Sequence, residues 1–151
     1  MIKTVRTNAE NVDFIKLVQQ LDADLAVTDG DEHAFYDQFN KLYAIKYVLL
    51  AFEKETPVGC GAIKAYDSCT MEIKRMYVAP DHRGKGIAAK VLAELEKWAG
   101  ELGFEKCILE TGTRQSSAIR LYQKSGYQQI PNYGQYAQVQ NSLCFEKSLK
   151  G

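Results

Sequence analysis

Residues 76–92 read MYVAPDHRGKGIAAKVL, and this stretch decides the fold. An apolar, strand-like run ends at Pro80, a short loop carries two glycines, and a helical pattern follows with no further Gly or Pro until Gly100. The first N–H groups of a helix have no intrahelical partners, and the helix dipole is positive at that end. Glycine lets a phosphate approach the backbone closely. A strand, a glycine loop and a helix start in this order predict an anion-binding site.

The bulk composition predicts one soluble domain over residues 1–151, with enough apolar material (46%) for one core. Lys and Arg number 19, as do Asp and Glu, and this zero net charge argues against a nucleic-acid partner. No apolar run approaches the ~18 residues of a membrane span, and no signal peptide is visible. The four cysteines form no closely spaced pair. We therefore expect a reduced, cytoplasmic protein with no metal and no membrane partner.

The first half of the chain predicts an antiparallel meander. Residues 2–6 alternate as an edge-type strand does, and helical spacing over residues 14–21 follows a cap at Asn8 or Asn11. A second, shorter helix is expected around residues 35–42. Short turns separate three further strand-like runs, at residues 47–52, 57–64 and 71–78. Successive strands joined by short turns pair antiparallel.

The second half predicts a strand–helix–strand unit. An amphipathic helix runs from Ile87 to near Gly103, a strand covers residues 106–110, and a further helix is capped by Ser116 or Ser117. Two short strands are expected near the end, at residues 127–130 and 143–145. The predicted fold class is therefore α/β (mixed α+β), with an antiparallel meander followed by a β-α-β-α unit around a central mixed sheet.

The strand at residues 71–78 carries a break of parity. Its apolar side chains change from odd to even positions, from Met71 and Ile73 to Met76 and Val78. A strand alternates its faces with period two, so this change indicates one extra residue, a β-bulge near Lys74 and Arg75. The alternative is that Tyr77 is the core residue and that no slip exists.

A dinucleotide is one candidate ligand for the anion site. Gly84, Gly86 and Ala89 fit the G-x-G-x-x-A pattern, and Glu110 ends the next strand, where a ribose-binding acid is expected. A dinucleotide fold, however, begins with this turn and repeats βαβ units, whereas a meander comes first here. The Walker pattern of nucleotide-binding loops is absent from the sequence.

Acyl-coenzyme A is the other candidate. Arg83, Gly86 and Ala88 fit R-x-x-G-x-A within the wider pattern V-x-P-x-x-R-G-K-G-I-A, and a second block, AIRLYQKSGY, covers residues 118–127. Both blocks resemble motifs of the Gcn5-related N-acetyltransferase (GNAT) family, and so does the order of elements along nearly the whole chain. The resemblance implies a GNAT-like acyl-CoA N-acyltransferase fold and an acetyl-CoA-dependent enzyme.

The resemblance also implies where coenzyme A binds. Its diphosphate would lie on the loop and helix start, at Arg83, Gly84, Lys85, Gly86, Ile87 and Ala88. Its pantetheine arm would lie along Met76, Tyr77 and Val78, where the inferred bulge would open a gap. Family members often place an Asn where this chain has Gln115, whose longer side chain carries the same amide.

Two side chains are implied to act in acetyl transfer. Tyr122 matches the family's general acid, which protonates the leaving thiolate, although it also continues an apolar helix face and packing is the alternative. Glu72 matches a carboxylate that removes a proton from the substrate ammonium through water, with an exposed strand charge as the alternative. The backbone N–H of Tyr77 or Val78 is expected to stabilise the oxyanion.

The acceptor is expected to be a cationic small-molecule amine. Residues 17–40 contain no Lys or Arg but six acidic side chains, at Asp22, Asp24, Asp29, Asp31, Glu32 and Asp37. In the resembling fold this segment lines the acceptor cleft, so Asp31 and Glu32 are expected to bind the amine; a solvated acidic face is the alternative. A peptide or protein acceptor, or a coenzyme A sensor without turnover, are the rival functions. Family members often form dimers, so a homodimer is possible.

Overall fold

The computed structural model describes residues 1–29 and 45–149. Their strands are β1 (Ile2–Thr7), β2 (Tyr47–Glu53), β3 (Thr56–Ala65), β4 (Thr70–Val78), β5 (Lys106–Gly112), β6 (Gln128–Ile130) and β7 (Ser142–Ser148). Their α-helices are α1 (Val12–Asp29), α2 (Ile87–Glu101) and α3 (Ser116–Lys124), with 3₁₀ turns at Pro80–His82 and Gly134–Tyr136. None of these helices is both long and apolar enough to cross a membrane. The short helix expected around residues 35–42 lies outside the described residues.

The strands form one mixed sheet in the order β1-β2-β3-β4-β5-β7-β6. From β1 to β4 each strand pairs antiparallel with the next, so the predicted meander is confirmed, with β1 at the edge. Strand β5 returns parallel to β4 through α2, and β7 pairs antiparallel with both β5 and β6. The mixed sheet and the β-α-β-α unit are therefore as the sequence predicted.

Helices cover both faces of the sheet. On one face, α2 buries Ile87, Val91 and Leu95 in a cluster that also contains Tyr122 of α3. On the other face, α1 buries the side chains Phe14, Leu17 and Val18 against β2, β3 and β4. Both faces of the sheet are thus covered by apolar cores. A charged side chain buried there must have a partner or a function that offsets its loss of hydration.

The predicted bulge in β4 is confirmed. Cys60 pairs with Tyr77 and Ala62 with Lys74, so three steps along β4 oppose two along β3. Arg75 takes up the extra residue with a left-handed φ of 57°. Four side chains consequently share the α2 face across the parity change: Met71, Ile73, Met76 and Val78. Tyr77 is buried as well, but on the α1 face, so its burial and the slip coexist.

The two predicted helix caps have different outcomes. Asn11 caps α1, because its Oδ1 accepts the N–H groups of Asp13 at 2.9 Å and Phe14 at 3.2 Å. The serine cap of α3 is wrong. A turn from the Gln115 N–H to the Gly112 carbonyl (3.0 Å) starts the helix one residue earlier, so Gln115 occupies the cap without a side-chain bond and Ser116 is already helical.

Candidate active site

The candidate site is the opening between β4 and β5. These parallel strands pair over only three positions, and the last pair is Glu72 with Ile108. Beyond it, a cleft of about 790 Å³ runs between the second half of β4, the glycine loop and the start of α3. A smaller pocket of about 150 Å³ continues under the sheet opening. Six residues line both spaces, which places the two side by side: Leu21, Leu25, Met76, Gln115, Ala118 and Tyr122.

The glycine loop offers main-chain donors to the large cleft. Gly84 and Gly86 have φ values of 80° and 79°, and a Cβ at either position would project into open space. The first hydrogen bond of α2 runs from the Lys90 N–H to the Gly86 carbonyl (3.1 Å), so the N–H groups of residues 87–89 have no helical partner. This donor set, at the positive end of a helix, fits a diphosphate.

The cationic side chains of the loop are held by carboxylates of the protein itself. Arg83 donates from Nε to the Val78 carbonyl (2.8 Å) and places Nη2 3.1 Å from Asp24 Oδ2. Glu53 Oε2 lies 2.9 Å from His82 Nδ1 and 3.7 Å from Lys85 Nζ. The hydrogen bond with His82 and then the charge of Lys85 lower the pKa of Glu53. The paired side chains of His82, Arg83 and Lys85 therefore hold the loop in place. The groups left to bind an anion are the main-chain N–H groups of the loop and of the start of α2.

Nine of the ten predicted cofactor-binding residues line the large cleft: Met76, Tyr77, Val78, Arg83, Gly84, Gly86, Ile87, Ala88 and Gln115. Lys85 does not line it and lies against Glu53 instead. Gln115 carries a buried Nε2 that finds no hydrogen-bond acceptor among the described residues. A buried amide donor without a partner is costly, so the site fits a ligand that presents an acceptor there, such as an amide carbonyl.

Tyr122 lies where the cleft meets the pocket. It is 5% exposed, and its ring contacts Tyr127 edge-to-face at 5.8 Å between centroids. Burial, and then the charge of Glu110, raise the pKa of Tyr122 above its ordinary value. The phenol therefore keeps its proton at neutral pH, as a general acid must.

Glu72 lines the small pocket and is only 6% exposed, so the alternative of an exposed strand charge is wrong. Its Oε2 accepts a hydrogen bond from the Tyr133 hydroxyl at 2.8 Å. Burial, together with the Glu72 charge and this hydrogen bond, raises the pKa of Tyr133. The carboxylate is thus fixed beside the space that Tyr122 also lines.

The sequence did not place three charged residues in the small pocket: Lys74, Arg75 and Glu110. Arg75 is held by Asp22, with Nη2 3.0 Å from Oδ1, and Lys74 Nζ lies 3.5 Å from the Tyr136 hydroxyl. Strand parity could have placed Glu110 beside Glu72. Glu72 pairs with Ile108 of the parallel strand β5, and residues two apart on a strand project from the same face. The predicted acceptor residues Asp31 and Glu32 lie outside the described residues.

Comparison with known proteins identifies the family. The profile of the Acetyltransferase (GNAT) family matches residues 14–127, and this chain belongs to that family. The IAA acetyltransferase of Azospirillum brasilense is 38% identical over 102 residues, which cover 67% of each protein. This result and the meander at the start of the sheet favour acyl-CoA over the dinucleotide alternative.

Solved structures share the whole fold. A candidate acyl-CoA N-acyltransferase from Klebsiella pneumoniae superposes with a TM-score of 0.83 at 31% identity, over 99% of this chain and 98% of that one. The PaiA N-acetyltransferase of Thermoplasma acidophilum, solved with coenzyme A, gives a TM-score of 0.72 at 20% identity, over 98% of this chain and 99% of that one. The latter likeness concerns the fold alone.

Proposed function

We propose that this chain transfers an acetyl group from acetyl-CoA to the primary amine of a small molecule, by direct attack in a ternary complex. The observation that carries the proposal is the position of Tyr122 and Gln115, which line both the large cleft and the small pocket. A thioester in the cleft and an amine in the pocket would meet beside Tyr122. Membership of the acetyltransferase family supports the same reaction.

The large cleft is the proposed acetyl-CoA site. The N–H groups of the loop and of residues 87–89 would hold the diphosphate, and the edge of β4 beyond Glu72 would pair with the amide groups of the pantetheine arm. Gln115 Nε2 would donate to a carbonyl of the same arm. Acetyl-CoA supplies an acetyl group activated as a thioester.

The reaction removes two protons from the nitrogen of the ammonium and adds one proton to the sulfur of coenzyme A. Glu72, directly or through water, takes a proton from the ammonium, and the free amine attacks the thioester carbonyl. The main-chain N–H of Tyr77 or Val78 stabilises the negative oxygen that forms. The C–N bond forms, the C–S bond breaks, and Tyr122 donates its proton to the departing sulfur. The nitrogen then loses its second proton, which restores the Tyr122 phenol. The products are the acetylated amine and free coenzyme A, and the proton on Glu72 returns to solvent.

The raised pKa of Tyr122 is compatible with this role. Burial disfavours a phenolate, but it disfavours a thiolate released into the same dry cleft as well. Both pKa values therefore rise together, and the proton transfer stays near balance. The phenol remains the protonated partner at the start of each turnover.

Two measurements test the proposal. Calorimetry with coenzyme A and with NAD should give binding for coenzyme A only; NAD binding without coenzyme A binding would contradict it. A thiol-release assay with acetyl-CoA and a panel of amines should show turnover that depends on the amine. Tight coenzyme A binding with no turnover on any small amine or peptide would identify a sensor, and turnover on peptides alone would identify a peptide acetyltransferase.

A further inference from the structure

The carboxylate of the proposed base, Glu72, is held by a tyrosine from a distant part of the chain. The Tyr133 hydroxyl, in the loop between β6 and β7, donates a hydrogen bond to Glu72 Oε2 at 2.8 Å. Building on the proposed function, we propose that Tyr133 is a positioning residue, which acts in acetyl transfer through Glu72 by holding its carboxylate where the acceptor ammonium arrives. Tyr133 itself exchanges no proton in the reaction.

The sheet fixes the main chain of Glu72 but not its carboxylate. Glu72 pairs with Lys64 of β3 on one side and with Ile108 of β5 on the other. Its side chain still rotates about three bonds, and ordering it costs conformational entropy. The pairing of β4 with β5 ends at Glu72, which lines the small pocket. A hydrogen bond at the end of the side chain is therefore what selects one orientation of the carboxylate.

The ring of Tyr133 is held from two sides. Tyr66, in the bend between β3 and β4, contacts it edge-to-face at 5.2 Å between ring centroids, and Tyr136 does so at 5.7 Å. Aromatic pairs favour this geometry at these distances. Tyr66 is itself tied to the start of β4, since its N–H donates to the Thr70 carbonyl at 2.9 Å. The phenol therefore reaches Glu72 from a fixed position.

The main chain around Tyr133 is fixed as well. Asn132 Nδ2 donates to the carbonyls of Val139 at 2.9 Å and Ser142 at 3.0 Å, which closes the loop against the start of β7. The Tyr136 N–H donates to the Tyr133 carbonyl at 2.9 Å, within the 3₁₀ turn. A group that positions a base must itself be locked by packing and hydrogen bonds, and this loop meets that requirement.

The phenol suits a donor that keeps its proton. Burial, and then the charge of Glu72, raise the pKa of Tyr133 above its ordinary value. The hydroxyl therefore stays protonated at neutral pH and donates to the carboxylate. A carboxylate offers about four acceptor sites, and this bond uses one of them. Glu72 can thus accept a proton from the ammonium and release it to solvent while Tyr133 holds it.

Removal of the Tyr133 hydroxyl tests this role. Tyr133→Phe keeps the ring between Tyr66 and Tyr136, so it should fold. Kinetics use whichever of propylamine, spermidine, glucosamine and a lysine-containing peptide the wild type acetylates fastest. We expect kcat to fall about tenfold to a hundredfold, because a base displaced by about 1 Å loses that much, and the KM for acetyl-CoA to stay within about twofold.

The matched control is Tyr47→Phe. It also removes one phenolic hydroxyl and keeps the ring, which packs edge-to-face on Trp98 at 5.3 Å between centroids. Tyr47 lines neither the large cleft nor the small pocket. The kinetics of this variant should match wild type.

A second background separates positioning from a merely structural role. Glu72→Gln lacks the base, so adding Tyr133→Phe should change its residual kcat by less than about twofold, since residues that act as one unit give non-additive losses. Damage to the fold, or direct contact of Tyr133 with the acceptor, would lower kcat by the same factor in both backgrounds. Tyr66→Ala removes one ring that holds Tyr133 but leaves the hydroxyl, and Tyr66 is 45% exposed, so the core stays intact. It should lower kcat severalfold in the wild-type background only.

The outcomes separate this inference from the proposed function. An unchanged kcat in Tyr133→Phe, or an equal fold loss in the two backgrounds, would overturn the inference while leaving acetyl transfer intact. Wild-type kcat in Glu72→Gln would remove the base and the positioning role with it. If Tyr133→Phe fails to bind coenzyme A in calorimetry, Tyr66→Ala decides by the same rule. No turnover of any of the four amines by wild type would overturn the proposed function and the inference together.

Discussion

The proposed site has two ends, a cofactor end at the glycine loop and an acceptor end at the small pocket, and they are built from different parts of the chain. The cofactor end uses main-chain N–H groups and glycines from one continuous segment, residues 84–89, and its nearby cations are already matched by Glu53 and Asp24. The acceptor end uses buried charged and phenolic side chains from α1, β4, β5, α3 and the loop before β7. The cofactor end therefore depends mainly on backbone conformation, whereas the acceptor end depends on the identity of its side chains.

This difference predicts how each end responds to substitution. Changes of side chain should be severe at the acceptor end, where charges and phenols are buried. At the cofactor end most side chains can change, and only positions that need a special backbone conformation or an open approach should be sensitive.

The largest effect is expected for Tyr122→Phe at the junction of the two ends. We expect kcat to fall about a hundredfold or more, because the general acid is lost. The KM for acetyl-CoA should stay within twofold, because the ring keeps its contact with Tyr127. Tyr127→Phe, which removes a neighbouring phenol that lines neither space, is the matched control in steady-state kinetics. Equal kcat for Tyr122→Phe and wild type would remove Tyr122 from the reaction.

The next effect is on stability at the acceptor end. Asp22→Asn leaves the guanidinium of Arg75 buried, with its side chain 3% exposed, and without a charged partner. We expect the free energy of unfolding to fall by about 2 kcal/mol, less than for a fully buried pair because Asp22 is partly exposed. Glu101→Gln is the control, since it breaks the exposed pair with Arg6 at 2.8 Å and should leave the free energy of unfolding nearly unchanged. If chemical denaturation gave the same loss of stability for Asp22→Asn and Glu101→Gln, the burial of the Arg75 charge would not matter, which would contradict this account.

Alkaline pH should weaken the fold through the buried phenols. Among the described residues, burial raises the pKa of four tyrosines in and around the acceptor end: Tyr122, Tyr127, Tyr133 and Tyr136. Their folded pKa exceeds the unfolded value of about 10, so their contribution is complete below about pH 10 and is lost as pH rises toward the folded values. Between its unfolded and folded pKa values, each tyrosine should lower the free energy of unfolding by about 1.4 kcal/mol per pH unit. Tyr127→Phe should reduce the dependence of the free energy of unfolding on pH by the contribution of one tyrosine. An unchanged dependence on pH would contradict this account.

The smallest effect tests the cofactor end. Gly86→Ala adds a Cβ at a φ of 79°, where it would meet no other atom. We expect a cost of about 1 kcal/mol in stability and a severalfold weaker coenzyme A affinity in calorimetry. Gly100→Ala in α2 also meets open space but has no positive φ, so it should stabilise the protein by about 0.5–1 kcal/mol. Similar results for the two variants would mean that the loop conformation is not special.

The geometry of the glycine loop and of β4 could be predicted from the sequence because its information is local. The order of strand, glycines and helix start fixes where the free N–H groups lie, and the parity of β4 alone revealed the bulge at Arg75. Most of the sheet order followed in the same way from short turns and one crossover helix. These features depend on neighbours in sequence, so periodicity and spacing report them.

The acceptor end could not be predicted in the same detail, because it depends on where two strands stop pairing. Nothing in the residues around Glu110 says that β4 and β5 separate after Glu72, so its place in the pocket was not visible. The cap of α3 was missed for a related reason, since the turn at Gln115 is set by the end of β5. Side-chain contacts between distant segments, such as Tyr133 with Glu72, emerge only from the assembled fold.

Amide hydrogen exchange with and without coenzyme A tests the central claim most directly, because it reports individual N–H groups. We predict that coenzyme A protects the amides of residues 84–89 and of residues 76–78, and leaves β1 and β2 unchanged. Binding of coenzyme A without protection of these two segments, or with protection elsewhere only, would contradict the assignment of the opening between β4 and β5 as the acetyl-CoA site.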